Sequence, residues 1–233
     1  MKLFKGRTAN EVWQKIAKKM NADDLPRLPS RAGDMVEYLH TAIEVKNPRQ
    51  RWTASRYPAI NPAFALAEVV WIVNGSDDAK IINHWNPALP KFAGDVANYY
   101  GAYGHRLRHQ FRFDQLERAY RALQKTPETR QLVLQIWSPE TDFPNEDGSP
   151  RAADIPCNLC SLLKVREGKL EWTQVMRSND LILGLPHNFV QFTYLQEIIA
   201  GWLGLEMGTY NHFSDSLHCY LRDYSGPKSS DKI

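Results

Sequence analysis

"DIPCNLCSLLKVREGKLEWTQVMRSND", residues 154–180, reads as two strands joined by a turn at "REGK". Cys157 and Arg177 are equidistant from Glu167, so an antiparallel hairpin places them opposite each other. Cross-strand Cβ atoms in such a pair lie roughly 4.5–5.5 Å apart. A guanidinium so close favours a thiolate, and Arg177 is expected to lower the pKa of Cys157. Cys157 and Cys160 also form a C-x-x-C. A redox pair normally opens a helix, where the N-terminus stabilises the thiolate; here the pair leads into a strand. Strand positions three apart face opposite sides, so the two sulfurs should diverge, which suits neither a disulfide nor chelation. A zinc site would need a second half, and His218 with Cys219 is a weak one. On this stretch alone, two buried structural cysteines is the plainest reading. Arg177, Ser178 and Asp180 bunch at the strand end before "GLP", which looks like an anion cradle, although an ordinary salt bridge would also explain Arg177.

Working outward, Met35 to Val45 reads as strand, and "RQLVLQIW" and "MGTYNHFSDSLHCYL" as two more. Asn10 is a candidate cap for a helix with Val12, Trp13, Ile16, Ala17 and Met20 on one face. Asn61 caps a second helix with Pro62 at its first position, ending near Asn74-Gly75. Asp114 caps a third through about Lys125, and Pro186 opens a long one through about Leu203. "LPRLPSRAG" and "ETDFPNEDGSPRAAD" are loops, and "NPRQRWTASRYPAINP" is an Arg/Pro-rich connection. Strands and helices mix without regular β-α-β order, and no linker interrupts them. The reading is one α+β domain over residues 1–233 with a mixed or antiparallel sheet, an N-terminal helical segment over 1–24 and a mobile tail over 221–233.

The chain has 233 residues, 43% hydrophobic and 24% charged, enough for a full core without staples. Its net charge of +3 comes without any basic block, so duplex nucleic acid is not implied, though a few arginines suit a small anion. No apolar run approaches the ~20 residues of a membrane span. Three cysteines cannot pair evenly and no signal peptide is visible, which points to a reducing cytoplasm.

"PCNLC" (156–160), "MRSNDLILGLPHN" (176–188) and "SDSLHCY" (214–220) carry a resemblance to thymidylate synthases and the related pyrimidine-nucleotide hydroxymethylases. It extends from about Arg31 to Tyr220 with fitting spacings, and the Arg-Ser-x-Asp-x-x-x-Gly-x-x-x-Asn segment is highly specific. The resemblance implies a three-layer architecture of a large mixed sheet with flanking helices. It implies Cys157 as the nucleophile that adds to carbon 6 of a pyrimidine, making carbon 5 reactive toward the methylene carbon of a folate. Arg31, Arg177 and Ser178 match phosphate ligands. Arg130 matches an arginine that reaches a partner subunit's phosphate, so a homodimer is implied; a second arginine often follows it, and here Gln131 stands there. Asp180 matches a residue contacting the pyrimidine or the cofactor, and Gly184 is a cofactor contact. His218 and Tyr220 match the pair that bonds the sugar 3′ hydroxyl. Cys160 and Cys219 match no catalytic position.

Glu68 is the only charge between Ala63 and Val73, in an otherwise apolar helix. Burial there would poise it as a general acid or base, with a structural salt bridge to an arginine as the alternative. It matches the family glutamate that organises water. Tyr103 resembles a tyrosine near the carbon 5 proton, and Trp85 a tryptophan lining the folate pocket. Asn158 stands where many relatives have histidine, and His187 replaces a residue that is usually bulky, with no role evident. Asn188 matches the asparagine whose amide reads uracil, with one donor and one acceptor face.

The resemblance thus implies a one-carbon transferase using 5,10-methylenetetrahydrofolate, with no metal, that methylates deoxyuridylate. Hydroxymethylation is the alternative, and a nucleotide-binding relative without turnover a further one. The thirteen residues after Tyr220 are rich in Gly, Pro, Ser, Lys and Asp, and the family's usual sealing tail is not among them. An unsealed site would admit water and favour the hydroxymethyl product.

Overall fold

The structure, a computed structural model, describes residues 1–224. The hairpin is formed by β4 (Asn158–Arg166) and β5 (Lys169–Asp180). Arg166 pairs with Lys169 across the two-residue turn Glu167-Gly168, both at positive φ (52° and 72°). That backbone twist matches the right-handed twist of the strands it joins. A bulge between Asn158 and Cys160 then shifts the register by one, and the Arg177 N–H donates to the Cys157 carbonyl at 3.0 Å.

Four further strands complete one mixed sheet in the order β1-β2-β6-β5-β4-β3: β1 (Lys2–Gly6), β2 (Met35–Val45), β3 (Val133–Gln135) and β6 (Glu206–Tyr220). β1/β2 and β5/β6 are parallel, and the remaining pairs are antiparallel. Each parallel pair needs a crossover. α1 (Ala9–Ala22) supplies one and α8 (Gly184–Leu203) the other, so two β-α-β units are present where the sequence showed no regular alternation.

The molecule has three layers. α8 lies on β5 and β6, with α1 and α6 (Gln115–Lys125) beside it. α2 (Pro62–Val73) crosses α8 on the outside, and α3 (Ala79–Trp85) packs on α2. α8 is buried almost all round, with Phe189, Phe192, Leu195 and Ile199 in the core. Burying each such side chain contributes about 1.5–3 kcal/mol. α8 stops at Gly204, whose left-handed φ of 68° suits glycine. The sheet's other face carries Leu39, Ala42, Phe213, Val175, Cys160 and Val133, half-buried or exposed. Among the described residues no helix is long and apolar enough to cross a membrane.

Several boundaries differ from the sequence reading. Thr8, not Asn10, caps α1: its side chain accepts from the Glu11 N–H at 3.1 Å, while Glu11 accepts from the Arg7 N–H at 2.8 Å. Asn10 instead pairs with Ser55, donating to its hydroxyl and accepting from its backbone N–H. α8 begins two residues before Pro186. Only Val133–Gln135 of "RQLVLQIW" is strand, and α7 (Pro139–Asp142) interrupts the loop after it. α4 (Pro90–Ala93) and α5 (Tyr103–His105) are single turns, the latter running into a π-helical turn over Arg106–Gln110. The expected tail falls mostly outside the described residues. Its first residues are held, since Tyr224 is buried and donates to the Met20 and Asp23 carbonyls.

Candidate active site

Cys157 sits at the mouth of the hairpin, immediately before β4. Because of the bulge, Cys157 and Cys160 fall opposite Arg177 and Val175. These β5 positions are two apart and share a face, so the divergence expected of a regular strand does not hold. Both thiols are nevertheless free. Burial pushes the Cys157 thiol up; Arg177 and then Arg31 oppose this, while Asp154 and Asp180 add to it. The expectation that Arg177 would leave this pKa lowered is therefore overturned: desolvation of the thiolate outweighs one guanidinium.

Two arginines converge beside the thiol. Arg177 donates from Nε to the Pro156 carbonyl and from Nη2 to the Ile155 carbonyl, both at 3.1 Å. Arg31 reaches the Ala153 carbonyl at 3.2 Å. Both are exposed, so their remaining N–H groups are open to an anion. Ser178 lies next along β5, opposite Ser216. Arg130 is not part of this cluster. It precedes Leu132, whose carbonyl accepts from Leu163. Leu163 is six residues along β4 from Cys157, roughly 20 Å at ~3.3 Å per residue.

A second group approaches from α2, α5 and α8. Glu68 Oε2 lies 2.8 Å from His187 Nδ1, so the partner of the lone carboxylate on α2 is a histidine rather than an arginine. Tyr103 packs with its ring tilted, 6.1 Å from that of Phe192. Its phenol is pushed up by burial first and then by the nearby charges of Cys157, Asp154 and Glu68, with Asn158 opposing. Asp154, to which the sequence assigns no role, accepts the Gly101 N–H at 3.0 Å, and burial raises its pKa. Gly104, next to Tyr103, packs against the Ile72 backbone, where an added Cβ would stand 2.4 Å from its carbonyl oxygen.

The start of α8 completes the site. Asp180 Oδ1 accepts from the N–H groups of Ile182 (2.7 Å) and Leu183 (3.0 Å), forming the turn into the helix. Trp13 Nε1 and Arg56 Nε grip the Leu181 and Ile182 carbonyls of the same turn at 2.8 and 2.6 Å. The sequence places Trp13 on an apolar helix face and Arg56 in a connection but gives neither this role, because support from distant elements leaves no local signature. A Cβ at Gly184 would stand 2.9 Å from Asn179 Oδ1 and 3.8 Å from Asn188 Oδ1. Asn188 donates to Gln191 at 3.2 Å, but its Oδ1 is buried without a partner, as are Asn158 Nδ2, Asn179 Oδ1 and His218 Nδ1. His218 pairs with Asp180 across β5/β6, and burial lowers its pKa, which favours neutral imidazole. Its ring meets Tyr220 edge-on at 5.1 Å. Trp85 stands apart at the end of α3, 44% exposed, against His84. Buried amide and imidazole atoms lacking partners are costly unless a ligand or water satisfies them, so the cluster has the polarity of a binding site. Among the described residues no group of three or more His, Cys, Asp or Glu side chains is placed to hold a metal.

The chain is similar to known proteins of one family. A family model described as thymidylate synthase matches residues 50–229. A deoxyuridylate hydroxymethyltransferase of Bacillus phage SP01 is 37% identical over 215 residues, 88% of this chain and 55% of that protein. Another, from Pseudomonas phage M6, is 34% identical over 69% of this chain and 45% of its own length. A putative thymidylate synthase of Methanothermobacter marburgensis is 28% identical over 94% of this chain and 92% of its own. The chain thus spans about half the length of the two phage relatives. It belongs to the thymidylate synthase family.

Proposed function

We propose that this member of the thymidylate synthase family transfers a one-carbon unit from 5,10-methylenetetrahydrofolate to carbon 5 of deoxyuridylate through a covalent Cys157 adduct. The observation that carries this reading is the meeting of one half-buried thiol, two open guanidinium groups and the unpaired buried atoms of Asn188 and His218. Arg31 and Arg177, with Ser178, take the phosphate. His218 and Tyr220 take the sugar hydroxyl, and the free Asn188 Oδ1 accepts from the uracil ring NH. Asp180 and Gly184 shape the floor beneath base and folate; Trp85, which stands apart from this cluster, is given a place beside the folate by the resemblance alone.

Cys157 adds as thiolate to carbon 6, and the electron pair passes to carbon 5 and the carbon 4 oxygen. Carbon 5 attacks the folate methylene. Glu68 and Tyr103 serve the proton transfers that release carbon 5's proton and the folate amine. An exocyclic methylene results. Water adding there gives the hydroxymethyl nucleotide and leaves tetrahydrofolate unoxidised. Hydride from tetrahydrofolate would instead give the methyl group and dihydrofolate.

We infer the hydroxymethyl product, which the two phage relatives support. Methylation is the second reading, supported by the archaeal relative matched along nearly its whole length. The open sheet face and the remoteness of Arg130 from its own Cys157 support a homodimer in which Arg130 completes the partner's phosphate site. Three free thiols fit a reducing, cytoplasmic setting.

Incubation with deoxyuridylate and methylenetetrahydrofolate, read by mass spectrometry and dihydrofolate absorbance, tests the proposal. A hydroxymethyl product without dihydrofolate is expected. Stoichiometric dihydrofolate with a methylated product establishes the second reading, and no modified nucleotide at all defeats both.

A further inference from the structure

His187 Nδ1 lies 2.8 Å from Glu68 Oε2, and its ring packs at 5.1 Å on Phe64, one helical turn before Glu68 on α2. Phe64 and Glu68 are four apart and share a face, so one helix face both seats the imidazole and bonds it. The carboxylate only accepts, so Nδ1 donates in this bond. Nε2 makes no hydrogen bond to the described residues. Both side chains retain some exposure, 16% and 17%, so water can reach them. Glu68 is close enough to Tyr103 for its charge to act on that phenol, and Tyr103 in turn feels Cys157. The pair therefore stands on the Tyr103 side of the candidate site. Asn188 follows His187 directly on the first turns of α8.

We propose that His187 is a positioning residue that holds Glu68 as the acceptor of the proton from the water that becomes the product hydroxyl. The inference rests on the hydroxymethylation reading. In the step, a water oxygen bonds to the exocyclic methylene carbon, and the π pair moves into the ring as an enolate. The water's proton goes to Oε1 of Glu68, while the His187 Nδ1–H stays bonded to Oε2. The enolate collapses, carbon 5–carbon 6 unsaturation returns and the Cys157–carbon 6 bond breaks, releasing thiolate. Nothing is oxidised or reduced. The imidazole keeps the carboxylate aimed, and Glu68 gives the proton up to water, which reaches the pair, before the next turnover.

The test compares wild type with His187→Phe, which keeps a ring against Phe64, and His187→Gln, which keeps a donor for Glu68. For His187→Phe, deoxyuridylate affinity and the mass-detected Cys157 adduct should match wild type, which also shows that the variant folds. Its kcat for the hydroxymethyl product should fall about 10- to 100-fold, a share of what positioned acid–base catalysis supplies, with KM unchanged. His187→Gln should recover part of that loss. Glu68→Gln with His187→Phe should be no worse than Glu68→Gln alone, because His187 acts through Glu68. Wild-type kcat in His187→Phe, no recovery in His187→Gln, or losses that add in the double variant would overturn the inference alone. A wild type that makes no hydroxymethyl nucleotide would overturn the underlying reading as well.

Discussion

The Arg177 backbone N–H donates to the Cys157 carbonyl at 3.0 Å, which locks the candidate nucleophile opposite its guanidinium neighbour. The same Arg177 side chain is held by the Pro156 and Ile155 carbonyls. Thiol and guanidinium are thus fixed to one short piece of backbone, and substrate need not order them. Burial still dominates the thiol's titration.

Cys157→Ser should abolish turnover while leaving nucleotide binding intact, since a hydroxyl keeps the shape but is a far weaker nucleophile. Cys160→Ser should keep most activity. In the free protein, Cys157 alkylation by iodoacetamide should be slow at neutral pH and still rising above pH ~9, because the raised pKa delays the thiolate. A dead Cys160→Ser variant beside an active Cys157→Ser would reverse the assignment.

Asn188→Asp should move base preference from uracil toward cytosine. The wild-type amide oxygen is buried and unpaired, positioned to accept. A protonated carboxyl swaps the donor and acceptor pattern, and one mismatched buried group costs ~1–3 kcal/mol, or roughly 5- to 150-fold in relative kcat/KM. Competition between the two nucleotides measures the ratio; an unchanged ratio counts against Asn188 as the base reader.

Asp142→Ala should destabilise the fold by about 3–5 kcal/mol, because it strands a buried charge. The Arg106 and Asp142 side chains are 2% and 0% exposed and bond at 2.6 and 2.9 Å. Arg106 also bonds the Tyr100 and Ile136 carbonyls, tying the segment around Tyr103 to the strand ahead of Cys157. Urea unfolding should show the loss, and surviving protein should lose kcat as well.

The hairpin, α2 with its Asn61 cap, α6 and β6 were legible because each combines a strong local period with a recognisable end signal. β1 was not, being a five-residue edge strand stabilised only by pairing with β2. Nor was α3, seven residues long behind an Asp78 cap. Cys157 opposite Arg177 emerged from two compensating displacements. The turn centres between Glu167 and Gly168 rather than on Glu167, and the bulge restores the lost residue. Bulges carry no residue signature, so sequence could not have shown this. The hairpin pattern pointed to Cys157 and Arg177, whereas the roles of Arg31, Asn188 and His218 came from the resemblance alone. The Glu68–His187 bond joins residues 119 apart in sequence, and no local pattern announces it.

Stability should fall as pH drops from about 6.5 toward 3, in part through His212. Burial holds this imidazole neutral, its pKa pulled down to about 3, between Tyr210, Asn179 and Ser214. In that window the unfolded chain binds the proton and the folded one does not, so His212 removes roughly 1.4 kcal/mol per pH unit. His212→Gln should be less stable at pH 7 yet show a flatter acid limb in denaturant titrations. An unaltered slope would mean that His212 is protonated in the fold.

Mixing the inactive Cys157→Ser variant with the weakened Arg130→Ala variant tests the proposed cross-subunit role of Arg130. Cys157→Ser lacks the nucleophile in every site, and Arg130→Ala lacks the donated guanidinium in every site. In a mixed dimer both defects fall in one site. The other then has Cys157 from one protomer and Arg130 from its partner. Random reassortment makes about half the dimers mixed, each with one intact site, so activity should recover to about a quarter of wild type. Arg130 can act only across the interface if it cannot span the distance to its own Cys157. Unfolding and refolding the two variants together, with each refolded alone as control, gives the comparison. If the mixture regains no activity although mixed dimers form, Arg130 does not act on the partner's phosphate site.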